Sequence, residues 1–122
     1  MWLRGVRGAT CATTNSKEAI VDTTKAMLQR IIEANGMEPD DIASAFFSTT
    51  RDLNAEFPAI AARQLGWKDV PLMCMHEMDV PNSLPLCVRV MIHWNTNKNA
   101  AEVRHVYING AEKLRPDLIR EG

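Results

Sequence analysis

The chain has 122 residues, a net charge of -1, and 46% hydrophobic against 24% charged side chains. That size suits one compact domain, residues 1–122, and the charge supplies no global basic field for nucleic acid or an anionic membrane surface. No apolar run nears the roughly 18 residues that span a bilayer, the start lacks a signal-like apolar core, and Cys11, Cys74 and Cys87 lack C-x-x-C spacing, so a reduced cytoplasmic protein is expected.

In chain order, "MWLRGVRGAT" reads as a first strand with Arg4 and Arg7 interleaved among apolar residues. "NSKEAIVDTTKAMLQRIIEANG" reads as one long helix. Asn15 or Ser16 can cap it, Glu18 suits its positive end, and Gly36 stops it. Its apolar stripe is Ile20, Met27, Ile31 and Ala34, with Leu28 and Ile32 beside them. "EPDD" is a turn or a short helical start, and "IASAFFSTT" is a second strand. A short helix, "PAIAARQLGW", opens at Pro58 and stops at Gly66. "VPLMCMHE" is a third strand, "MDVPNSLP" a loop, and residues 86–96 a fourth strand. "HVYI" is a short fifth strand, and "AEKLRPDL" a turn of helix halted by Pro116. The fold class is α+β: a mixed sheet of about five strands with one long and one short helix.

The fourth strand has two unlike faces. Leu86, Val88, Val90, Ile92 and Trp94 point one way, and Cys87, Arg89, Met91 and His93 the other. The first set fits beneath helices. The second is half apolar, and too little helix remains to cover it, so a homo-oligomer is expected.

Arg89 is the anomaly in that strand, because a guanidinium stays charged and burying it unpaired costs several kcal/mol. A salt bridge is the ordinary explanation, with Glu77 the obvious partner. Arg4 and Arg7 face opposite ways, so at most one of them shares the cavity of Arg89. Two arginines beside one carboxylate leave positive charge uncompensated and call for an anionic ligand. Glu77 can equally be a solvent-facing strand end, Tyr107 a rim residue, Phe57 a staple on the short helix, and Cys74 core. The histidines His76, His93 and His105 lack metal-site spacing. Alternation in "MCMHEM" sends Met73, Met75 and Glu77 to one face and Cys74, His76 and Met78 to the other, which disfavours a metal. No phosphate loop, G-x-S-x-G or nucleophile–base set is present.

"RGVRGAT", "FPAIAARQLGW", "VPLMCMHEMDV…SLP…CVRVM" and "RHVY…LRPDL" together resemble the monofunctional chorismate mutases of the AroH class, in the same order along nearly the whole chain. The resemblance implies rearrangement of chorismate to prephenate on the branch to phenylalanine and tyrosine, with no cofactor and no metal. It also implies a homotrimer whose sheets form a pseudo-α/β-barrel, with active sites between subunits. By the same resemblance, Arg89 contacts the substrate's ether oxygen and a carboxylate, and Arg7 binds a carboxylate. Glu77 and Cys74 meet the ring hydroxyl, and Tyr107 holds the pyruvyl carboxylate. Phe57, Met73 and Leu114 line the apolar wall, while Arg63 and Arg115 lie at the mouth. Two other readings compete: a trimeric enamine/imine deaminase-like hydrolase, and a non-catalytic sensor of an aromatic-pathway acid.

Overall fold

The computed structural model describes residues 1–114. Its elements are β1 (Trp2–Cys11), α1 (Lys17–Asn35), β2 (Ile42–Thr49), α2 (Ala59–Gln64), β3 (Leu72–His76), β4 (Cys87–Thr96) and β5 (Val106–Tyr107). Single 3-10 turns lie at Pro39–Asp41, Ala100–Glu102 and Ala111–Leu114. The strands form one mixed sheet in the order β3-β2-β4-β1-β5. β4 runs antiparallel to both of its neighbours, while the β2/β3 and β1/β5 pairs are parallel.

Helix α1 forms where its caps and stripe direct it. Ser16 is extended and its hydroxyl accepts the Ala19 N–H at 3.1 Å. Gly36 ends the helix with φ of 66°, a left-handed conformation that suits glycine. Asn15 is not the cap; its carbonyl accepts the N–H groups of Asn54 and Ala55 instead. Ile20, Met27, Leu28 and Ile31 are wholly buried against the sheet, each contributing about 1.5–3 kcal/mol of transfer free energy. On the sheet they meet Val6, Phe47, Val88, Val90 and Ile92, the helix-covered face.

Two boundaries and one packing role differ from the sequence expectation for identifiable reasons. β4 starts at Cys87 because Leu86 has φ of 53°, which no strand ladder accepts. The Asp52 carboxylate holds the Leu86 N–H there, at 3.0 and 3.2 Å. α2 is shorter than residues 58–67, since the chain turns left-handed at Gly66 (φ 92°). Phe57 is 67% exposed, so it is not a staple on that helix.

Gly8 sets how closely α1 lies over β1. A Cβ added there would stand 2.6 Å from Ile31 Cδ1 and 3.3 Å from Met27. Both neighbours are wholly buried and have nowhere to go. Gly8→Ala is therefore expected to destabilise the chain by about 1–3 kcal/mol through overpacking. A fall in the urea midpoint at constant slope would register this; an unchanged midpoint would show that α1 can shift.

Candidate active site

With Val6 and Gly8 of β1 turned toward α1, strand alternation sends Arg7 and Ala9 to the opposite face of the sheet. The β1/β4 register sets Arg7 beside Met91 and Ala9 beside Arg89. The β2/β4 register sets Ser48 beside Arg89 on the other side. Glu77 follows β3 directly, and its N–H is held by the Thr49 carbonyl at 2.8 Å. These placements make a cavity of about 300 Å³ lined by Arg7, Phe46, Ser48, Met75, Glu77, Arg89, Met91 and Tyr107.

Inside it, Arg89 Nη1 donates to Glu77 Oε2 at 3.2 Å, and Ser48 Oγ donates to the same oxygen at 2.8 Å. Glu77 Oε1 carries neither of these bonds. Both side chains are about one-third exposed, so the pair is a positioned ion pair at a cavity wall and not a buried one. Among the described residues, the Arg7 guanidinium has no carboxylate partner. One carboxylate thus faces two guanidinium groups, and the cavity carries net positive charge. Tyr107 is 7% exposed and packs with Ala9, Cys87 and Ala111, with Leu114 against them. That cluster backs the end of the cavity.

Cys74 does not join this cavity. It faces the other side of β3 and lines a second pocket, of about 320 Å³, with Phe57, Pro58, Leu53 and Asn54. Met75 and His76 line both pockets, so the two flank the edge strand β3. Burial pushes the Cys74 thiol up, partly opposed by a hydrogen bond to the Ala59 backbone. At neutral pH it is therefore a neutral thiol, able to donate or accept. Burial also pushes Cys87 up to about 12.

Met73 is 57% exposed on the open face of β3 and lines neither pocket. Arg63 lies at the end of α2, where Nη1 donates to the carbonyls of Trp67, Lys68 and Val70. That locks the loop before β3. Arg115 lies outside the described residues. Ser48 was missed by sequence reasoning, although its place opposite Arg89 follows once β2 and β4 are paired. Among the described residues, no three His, Cys, Asp or Glu side chains come together as a metal site would need.

A family model described as chorismate mutase type I matches residues 3–118. Over 119 residues the chain is 45% identical to the chorismate mutase AroH of Bacillus subtilis (strain 168), covering 97% of this chain and 94% of that one. It is 44% identical to the chorismate mutase AroH of Thermus thermophilus over 117 residues, 95% of this chain and 96% of that one. Among solved structures, a chorismate mutase from Clostridium thermocellum superposes with a TM-score of 0.89 at 50% identity, over 93% of this chain and 99% of that one.

Proposed function

The chain belongs to the chorismate mutase type I family, and from that premise we propose how its own residues carry out the reaction. The protein is an isomerase of aromatic amino acid biosynthesis that converts chorismate to prephenate. The reaction breaks a C–O bond and forms a C–C bond within one molecule, and no proton moves. The enzyme must hold a dianion in a compact shape and stabilise the negative charge that grows on the departing ether oxygen. The first task is orientation; the second is electrostatic preorganisation.

Arg89 takes the second task. Glu77 engages its Nη1 and so fixes the guanidinium in place, leaving other donors of the fork for the ether oxygen and a carboxylate. Arg7 and Tyr107 hold carboxylate, and Glu77 Oε1 accepts from the ring hydroxyl. The observation that carries this reading is the cavity's charge: two arginines against one carboxylate, which suits a dianion. A rate enhancement near 10⁶ needs about 8 kcal/mol of differential stabilisation. One preorganised donor supplies roughly 3–4 kcal/mol of that, and conformational restriction can cover the remainder.

The chain acts as one mutase domain in a homotrimer with a pseudo-α/β-barrel core, and each active site is shared between copies. Support comes from the division of the residues. Arg7, Glu77, Arg89 and Tyr107 line one pocket, while Cys74 and Phe57 line another across β3. A site using both sets needs a second copy of the chain. Exposed Met73, Met75, Met78 and Val80 along β3 and the loop after it supply apolar surface for that contact. In the assembly, Met73 and Leu114 form apolar wall and Arg63 stands at the mouth.

Incubating the pure protein with chorismate and following the loss of its ultraviolet absorbance tests the activity; prephenate must accumulate in step. The value of kcat is expected to stay nearly flat across the neutral range, because no group gives or takes a proton. A bell-shaped kcat profile there would argue for acid–base chemistry instead.

A further inference from the structure

We propose that His105 is a positioning residue for this reaction, acting through the backbone of Arg7; the proposal rests on the reading of Arg7 and Tyr107 as carboxylate-binding groups. His105 Nδ1 accepts the Arg7 N–H at 3.0 Å. A backbone N–H can only donate, so Nδ1 is the unprotonated nitrogen of a neutral ring.

The geometry explains why an imidazole stands there. β5 is two residues long and pairs with β1 only through Gly8↔Val106 and Ala9↔Tyr107. One residue earlier on β1 is Arg7, beyond the end of that ladder. The ring of His105 supplies the acceptor that a longer strand would have supplied from its backbone, so a half-buried N–H is not left orphaned. The ring's own backbone is anchored from behind. Asn35, 3% exposed at the end of α1, takes the Arg104 N–H on Oδ1 and donates Nδ2 to the Arg104 carbonyl, both at 2.9 Å.

A chain of contacts thus runs from α1 through Arg104 and His105 to Arg7. It aligns Arg7 with Tyr107, two residues after His105 on the neighbouring strand. Gly8, pressed against Ile31, fixes the other side of Arg7. The strand is held, and only the guanidinium is left to adjust to the substrate.

The test exploits which ring atom does the work. In His105→Asn the amide oxygen can occupy the place of Nδ1; in His105→Gln it reaches the place of Nε2; His105→Leu has neither. Steady-state kinetics with chorismate should find kcat/KM within about twofold of wild type for His105→Asn. About tenfold losses, mostly in KM, are expected for His105→Gln and His105→Leu, the size of one lost hydrogen bond. The Arg7 amide should exchange faster with solvent deuterium in those two variants only. In an Arg7→Ala background, His105→Leu should cost little more, since the two act as one unit. Equal behaviour of the Asn and Gln variants alongside a damaged Arg7→Ala enzyme would overturn the role of His105 while leaving the reading of Arg7 intact. A loss that follows each variant's Tm and not its Arg7 exchange would overturn it too. Wild-type kinetics in Arg7→Ala would instead remove the reading on which the proposal rests.

Discussion

Arg89→Ala is expected to fold and assemble while losing most of its turnover. Its side chain is about one-third exposed and stands at a cavity wall, so truncation removes no core packing. On the proposed reading, what is lost is a donor aimed at the ether oxygen, and removal of one such donor lowers kcat by roughly 10²–10³. The measured loss should exceed that range, because Glu77 is left without the cation that balances it and repels the dianion. Arg89→Lys should fail nearly as badly. A lysine ammonium is one point charge on a flexible stem and cannot hold Glu77, an ether oxygen and a carboxylate in one planar fork. Far-ultraviolet circular dichroism and sedimentation should match the wild type. Near-wild-type kcat in Arg89→Lys would mean that charge alone suffices at that position.

The second large effect is expected at Glu77, and its signature is a split between kcat and KM. Glu77→Ala removes the anchor of Arg89 Nη1 and the acceptor of the Ser48 hydroxyl, together with the proposed contact to the ring hydroxyl. A charge-assisted hydrogen bond contributes about 1.5–3 kcal/mol, so kcat should fall by about 10–100-fold. KM should not rise in proportion, since the variant's cavity keeps both arginines and loses a charge that repels the dianion. Glu77→Gln keeps an acceptor for Ser48 and should sit between the two. A large rise in KM with unchanged kcat would show that Glu77 serves binding alone.

Much of this site was legible in the sequence because two rules acted on few residues. Alternation put Arg89 on the uncovered face of β4, with Glu77 its obvious salt-bridge partner; the 3.2 Å contact is that pairing. Alternation also sent Cys74 and Glu77 to opposite faces of β3. The family resemblance nevertheless grouped them at one hydroxyl, and within one subunit they line different pockets. Helix α1 was legible because cap, stripe and stop all agreed. Leu86 was not, since its left-handed turn depends on Asp52, 34 residues earlier. Nor was His105, whose part depends on β5 being two residues long. No local pattern signals how far a ladder extends.

The division of the site between copies is the central claim, and mixing inactive chains tests it most directly. Arg89→Ala disables one pocket. Phe57→Glu, at a position 67% exposed and safe for folding, sets a carboxylate against the dianion in the other. Each variant alone should be nearly inactive. When equal amounts are unfolded together and refolded, about a quarter of the sites in random trimers should combine an intact Arg89 from one chain with an intact Phe57 from its neighbour. Recovery of about a quarter of wild-type chorismate turnover is the predicted result; a mixture no more active than its components would place each site within a single chain and contradict the account.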